Sequence, residues 1–318
     1  PLVADISEMR GDYICLLEDG GKAKAEVSLE GRRAYAADAA GDGIKRGLAR
    51  ALYRCFDELT GINPGWGILT GVRPAKLMRR LLDTKGQDGA KEIMLRDMLL
   101  SEGKLSLCRS VAVNEGRIIS LSKPNSYSLY VSVPFCPTKC AYCSFVSNTI
   151  QQAGRLIPEY LDRLCTELEE TSGIPQRLGL RLETVYIGGG TPGVLTPPQL
   201  DTLMKKIAEC FDISSAREYT VEAGRPDVTD AQKLRVIRAN GAKRVSINPQ
   251  TMNADVLAAV GRRHTPQQTV DAFNAAREAG LAVNMDLIAG LPGESFESFK
   301  GSVDRLLSLS PENITVHT

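Results

Sequence analysis

VPFCPTKCAYCSF, residues 133 to 145, is the stretch on which the fold turns. It sets Cys136, Cys140 and Cys143 in a C-x3-C-x2-C spacing directly behind a strand-like run, SLYVSV at 128 to 133. Three thiolates this close together can ligate three irons of a 4Fe-4S cluster and leave the fourth iron open for chemistry. A structural zinc site competes with that reading, but it prefers four closed ligands in paired C-x2-C units, and no second pair or nearby histidine completes one. A chance grouping of buried thiols is the third reading. Cys15, Cys55, Cys108, Cys165 and Cys210 stand singly among apolar residues and read as small hydrophobes, kept reduced in a cytosolic chain.

Outward from this motif, strand-like runs alternate with helical patterns. After the first run come TVYIG (184 to 188), EYTVE (218 to 222), RVSI (244 to 247), AVNMDLI (282 to 288) and NITVH (313 to 317). Between them lie helical stretches near 156 to 172, 197 to 211, 229 to 239, 266 to 279 and 294 to 308, each long enough for a crossover. The expected fold is α/β, a curved (β/α)6 partial barrel of the TIM type over residues 125 to 318. Residues 1 to 124 read as a smaller α+β module, with a hairpin over DYICLLEDGGKAKAEVSL and helices near 43 to 60, 74 to 83 and 88 to 100. SKPNSYS at 122 to 128 makes the linker. The chain stops as the sixth strand does, so a further C-terminal part is expected beyond it.

Lys+Arg total 39 against 38 for Asp+Glu, which gives no reason to expect nucleic acid or an anionic membrane as the main partner. No run approaches the length of a membrane span, and PLVADISEMRGDY is too charged for a signal peptide, so a cytoplasmic protein is expected.

Several residues carry a chemical reading of their own. Gly188, Gly189, Gly190 and Thr191 follow the second strand, where missing side chains let the backbone approach a ligand and the hydroxyl can bond a carboxylate. Glu222 ends the third strand, and at strand C-termini of such barrels polar residues gather around the active site. Asp286, between Met285 and Leu287, must face inward and be partnered, by ribose hydroxyls or by Arg262.

The motif order resembles a known family. YVSVPFCPTKCAYC, VYIGGGTP, TVEAGRPD, RVSINPQTMN, VGRRHT and NMDLIAGLPGES are similar to the motifs of the oxygen-independent coproporphyrinogen III oxidase group of radical S-adenosylmethionine (SAM) enzymes. GWGILTGVRPAKL at 65 to 77 looks like the N-terminal region of that group's HemZ-type branch. The resemblance implies a 4Fe-4S cluster on Cys136, Cys140 and Cys143 whose open iron binds SAM, and an electron donor such as flavodoxin or ferredoxin. It assigns Gly189, Gly190 and Thr191 to the methionine end of SAM, and further SAM contacts to Glu222, Gln250, Arg262 and Asp286. Tyr130 and Tyr142 match positions near SAM. The implied reaction is oxidative decarboxylation of coproporphyrinogen III propionates to vinyl groups, driven by a 5'-deoxyadenosyl radical.

Two positions depart from the oxidase pattern: Ser132 stands where the family has His, and Phe145 where it has a fourth Cys. The C-x-F ending is shared with haem-chaperone relatives, so a haem carrier without oxidase activity is the second reading. The four carboxylates of the substrate would need basic partners, for which Arg73, Lys76, Arg79 and Arg80 are candidates beside a solvated helix face.

Overall fold

Period-two alternation decides which way each barrel strand faces. Along Ser126–Val133, Arg181–Gly189, Glu218–Glu222, Arg244–Gln250, Ala282–Ile288 and Asn313–His317 the odd-numbered positions are mostly apolar: Val131, Val185, Ile187, Val221, Val245, Ile247, Val283, Met285 and Leu287. These face the helices, and with Leu164, Leu168, Leu200, Leu203, Ile207, Leu234, Ile237 and Phe273 they form the largest core cluster. The even-numbered positions Tyr186, Glu222, Ser246, Asn248, Asn284, Asp286 and Thr315 face the other way and line a cavity.

In this computed structural model, which describes residues 11 to 39, 41 to 71 and 73 to 318, the six strands pair in parallel and in chain order. The sheet is open, with Ser126–Val133 at one edge and Asn313–His317 at the other. Crossover helices span Ile157–Arg177, Pro197–Cys210, Ala231–Ala239, Pro266–Glu278 and Phe296–Leu309. Thr196 with Gln199, and Thr265 with Gln268, close reciprocal capping boxes ahead of two of them, each with proline in the first turn.

The chain divides into two compact units, Pro1–Ser122 and Lys123–Thr318. In the first, the expected hairpin is a three-stranded antiparallel sheet, Tyr13–Asp19, Lys22–Leu29 and Arg32–Ala39. Two-residue turns join the strands, Gly20-Gly21 and Glu30-Gly31, all four residues having positive φ, which suits the twist of a tight hairpin. Helix Ile44–Thr60 lays Ala51, Cys55 and Leu59 on Ala25, Val27 and Ala34. The helices expected near 74 to 83 and 88 to 100 lie on either side of Gly86, whose positive φ of 68° breaks the run Pro74–Glu92 in two, and the second passes into a π-helical turn, Ile93–Asp97. A further helix, Glu102–Ile119, capped by Ser101, was not expected from the sequence. It buries Leu105, Cys108 and Ala112 in a cluster with Met78 and Met94.

No helix among the described residues is long and apolar enough to cross a membrane.

Candidate active site

Cys136, Cys140 and Cys143 are half-buried and line one cavity of about 820 Å³ at the C-terminal ends of the parallel strands. Backbone bonds fix their loop: Cys143 N–H donates to Cys140 O at 3.1 Å and Ala141 N–H to Val260 O at 3.1 Å, while Thr138 Oγ1 donates to Gly261 O at 2.7 Å. The glycine run grips it from the other side, with Gly190 N–H on Val133 O at 2.9 Å and Thr191 N–H on Phe135 O at 2.8 Å. A Cβ on Gly190 would lie 2.7 Å from Phe135 O, so this glycine is required by the cysteine loop's own backbone. Gly188 leaves room for a side-chain pair instead, since a Cβ there would meet the Tyr186 ring at 2.7 Å and Glu222 Cδ at 3.1 Å. Thr191 is buried, and its hydroxyl lies 3.4 Å from Cys136 Sγ.

Among the described residues, no three His, Cys, Asp or Glu side chains converge tightly enough to hold a single metal ion. The three cysteine sulfurs share one cavity, as a cluster whose separate irons each take one thiolate requires.

Glu222 accepts a 2.6 Å hydrogen bond from Tyr186 Oη. Burial pushes the Glu222 carboxyl above the ordinary carboxylate range, and the nearby Asp286 charge adds to this against the Tyr186 bond. Asp286 does face inward. Its partner is Asn284, whose Nδ2 donates at 2.7 Å, and not Arg262. Arg262 bonds elsewhere, through Nη1 to Tyr142 Oη at 3.0 Å and through Nη2 to Gly224 O at 2.9 Å and Asn248 O. Burial, opposed by Arg262, raises the Tyr142 phenol to about 12. Gln250 is buried and holds a positive φ of 68°, a strained setting for a side-chain-bearing residue. It sits where the ladder to the next strand shifts register.

Glu222, Gln250, Arg262, Asp286, Tyr142, Gly189, Gly190 and Thr191 all line the cysteine cavity. Tyr130 does not. It lies on the edge strand, 58% exposed, its ring stacked on Tyr186 at 5.8 Å. Phe145 lines the cavity and is 68% exposed. His317 lines it as well, whereas His264 is buried and held neutral, its pKa lowered to about 3 by burial and the neighbouring Arg262. Arg73, Lys76, Arg79 and Arg80 line a separate groove of about 420 Å³ in the first unit. Sequence reasoning did not single out Tyr186, Arg225, Asn248 or Asn284, which also line the main cavity.

The cavity wall holds polar atoms that the described residues leave unused. Asn248 Oδ1, Gln250 Oε1 and Arg262 Nε are buried without a hydrogen-bond partner. Buried polar groups are normally paired, so three orphans on one wall mark a place for a polar ligand. Two carboxylates, a guanidinium and two amides match the ammonium, carboxylate and ribose groups of SAM.

The radical SAM superfamily model matches residues 130 to 306. A curated relative from Bacillus subtilis (strain 168), the oxygen-independent coproporphyrinogen-III oxidase-like protein HemZ, is 38% identical over 86% of this chain and 56% of its own length. The heme chaperone HemW of Lactococcus lactis subsp. lactis is 35% identical over 62% of this chain and 50% of its own. Among solved structures, the coproporphyrinogen III oxidase HemN of Escherichia coli, described as a radical SAM enzyme, aligns with a TM-score of 0.53 and 31% identity over 60% of this chain and 44% of that one. The chain thus spans about half the length of the curated relatives it matches.

Proposed function

Because the chain belongs to the radical SAM superfamily, with its 4Fe-4S cluster and SAM, we propose that it is an oxygen-independent coproporphyrinogen III oxidase that converts two propionates to vinyl groups. The observation that carries the reading is the cavity in which three cysteines and three unpartnered polar atoms meet. The substrate rests on the HemZ relative, because a match over 86% of the chain is longer than the second unit and runs into the first.

Cys136, Cys140 and Cys143 would hold the cluster, and Glu222, Gln250, Arg262 and Asp286 would hold SAM. When bound, these cofactors supply a radical able to take a hydrogen atom from a propionate. The chain's own residues bind and orient. Glu222 and Asp286 accept from ammonium and hydroxyl groups, Arg262 donates to a carboxylate, and Gly188 to Thr191 shape the wall against which the methionine end rests. Loss of CO2 and of a second electron, passed to an external one-electron acceptor, would then leave the vinyl group, and an electron donor such as flavodoxin or ferredoxin would serve the cluster.

The test is an anaerobic assay of the reconstituted protein with SAM, a reductant and coproporphyrinogen III, read by mass spectrometry and absorbance. CO2 and protoporphyrinogen IX are the expected products. Tight haem binding with neither product would replace this reading by that of a haem chaperone. Phe145 favours that second reading, as an exposed aromatic at the cavity where a fourth cysteine is absent.

A further inference from the structure

Arg225 is a buried cation placed against the cysteine loop. It is 3% exposed, although it follows the third barrel strand and is 85 positions from Cys140 in sequence. Its fork is bidentate to Asp227, with Nε and Nη2 both at 3.1 Å from the carboxylate oxygens. The outer nitrogens cross to the cysteine loop: Nη2 donates to Thr138 Oγ1 at 3.0 Å and Nη1 to Thr138 O at 3.4 Å, and Nη1 lies 3.7 Å from Cys140 Sγ. Thr138 passes the restraint on, through its hydroxyl, to Gly261 O.

Burying a guanidinium is costly unless charges and hydrogen bonds compensate it. Asp227 compensates the charge, and the remaining donors point at the segment between the first two cysteines. Charge and hydrogen bonds at the sulfurs are two of the levers that set the potential of an iron-sulfur cluster. An N–H donor on a ligand sulfur stabilises the reduced cluster, which carries the extra negative charge.

We propose that Arg225 is a positioning residue for the cluster: it holds the Thr138 to Cys140 segment and, through its donor on Cys140 Sγ, makes the cluster easier to reduce. The proposal rests on the cysteine assignment above and is independent of the choice between oxidase and chaperone. Asp227 offsets the guanidinium's charge, so the two residues act on the potential with opposite signs.

The experiment is an anaerobic redox titration of the reconstituted protein with dithionite and mediator dyes, followed by electron paramagnetic resonance, with iron content measured in parallel. Arg225→Gln should shift the one-electron equilibrium about tenfold against reduction, a fall of about 59 mV. Arg225→Lys should recover part of that fall, and Asp227→Asn should move the potential upward. If Arg225→Gln takes up no iron, the upward shift in Asp227→Asn still decides the matter. A cluster of full iron content whose potential is unmoved in Arg225→Gln, or moves downward in Asp227→Asn, overturns the proposal and leaves the cysteine assignment standing. A parent protein that takes up no cluster overturns both.

Discussion

Arg50 in the first unit and Arg262 in the second are equally buried, at 6% exposure, and they are satisfied in opposite ways. Arg50 is saturated: it bonds Asp38 through Nε and Nη2 at 3.0 and 2.8 Å, Asp42 through Nη1 and Nη2 at 2.9 and 2.7 Å, and the Asp97 and Ala39 carbonyls. Arg262 meets a phenol and two carbonyls, has no acid in ion-pair range among the described residues, and leaves Nε unused. A saturated buried charge holds a fold together. One left short of acceptors in a cavity wall is set up for a ligand.

The cysteines repeat this contrast and give the largest expected effect. Cys55 and Cys108 are closed into apolar clusters, whereas Cys136, Cys140 and Cys143 line the cavity. Cys136→Ala, Cys140→Ala or Cys143→Ala should each abolish iron uptake in an iron and sulfide assay, while Cys55→Ala and Cys108→Ala keep it. Stoichiometric zinc in the parent protein would break the contrast.

Next in size is Arg50→Leu. It leaves Asp38, whose side chain is 10% exposed, with Arg54 alone at 2.9 Å, and losing the bonds to Arg50 costs about 1 to 3 kcal/mol, read as a shifted urea midpoint. Arg262→Ala should cost less stability and instead weaken SAM binding roughly tenfold to a hundredfold, the worth of one charge-assisted bond, with iron content unchanged. Equal stability losses with unaltered SAM affinity would erase the distinction drawn between the two arginines.

The smallest effect concerns pH. Glu222 is raised above its ordinary 4.5, so the folded chain holds its proton longer than the unfolded one does. That contribution to stability is present below the unfolded value and is lost as pH rises through the folded value. Glu222→Gln removes the loss. In the cofactor-free protein, its urea midpoint relative to the parent should therefore climb as pH rises above 4.5 and then level off. A difference independent of pH would mean that Glu222 is not strained when ionised.

The parallel sheet was legible in the sequence because runs such as TVYIG and AVNMDLI carry both β-branched residues and flanking turn signals. The first unit was less so. Glu30-Gly31 hides a hairpin turn inside a polar stretch, and Glu102–Ile119 mixes serine, glycine and valine so that its buried stripe, Leu105, Cys108 and Ala112, is faint. Within the cavity, residues inside recognisable motifs could be named, but Arg225 and Tyr186 acquire their meaning from partners far along the chain. Arg225 reads as a loop residue until the fold brings Cys140 to it, and Tyr186 as a core aromatic until Glu222 lies opposite. Asp286 shows the converse, since its inward direction followed from the cost of leaving a carboxylate unpartnered in an apolar strand while its partner, Asn284, did not.

The contact of Gly190 with the cysteine loop also bears on how lineages of this fold diverge. A side chain there collides with main-chain atoms of residues 133 and 135, whatever the cavity contains. Selection against that collision acts on every descendant that keeps the loop, including one that has given up SAM chemistry. Glycine at 190 therefore records ancestry, whereas Glu222, whose carboxylate bonds Tyr186 alone among the described residues, would be free to drift once a ligand that it served is lost. In a comparison of related chains, retention of the acid at 222 would separate the working enzymes from the retired ones, and retention of the glycines would not.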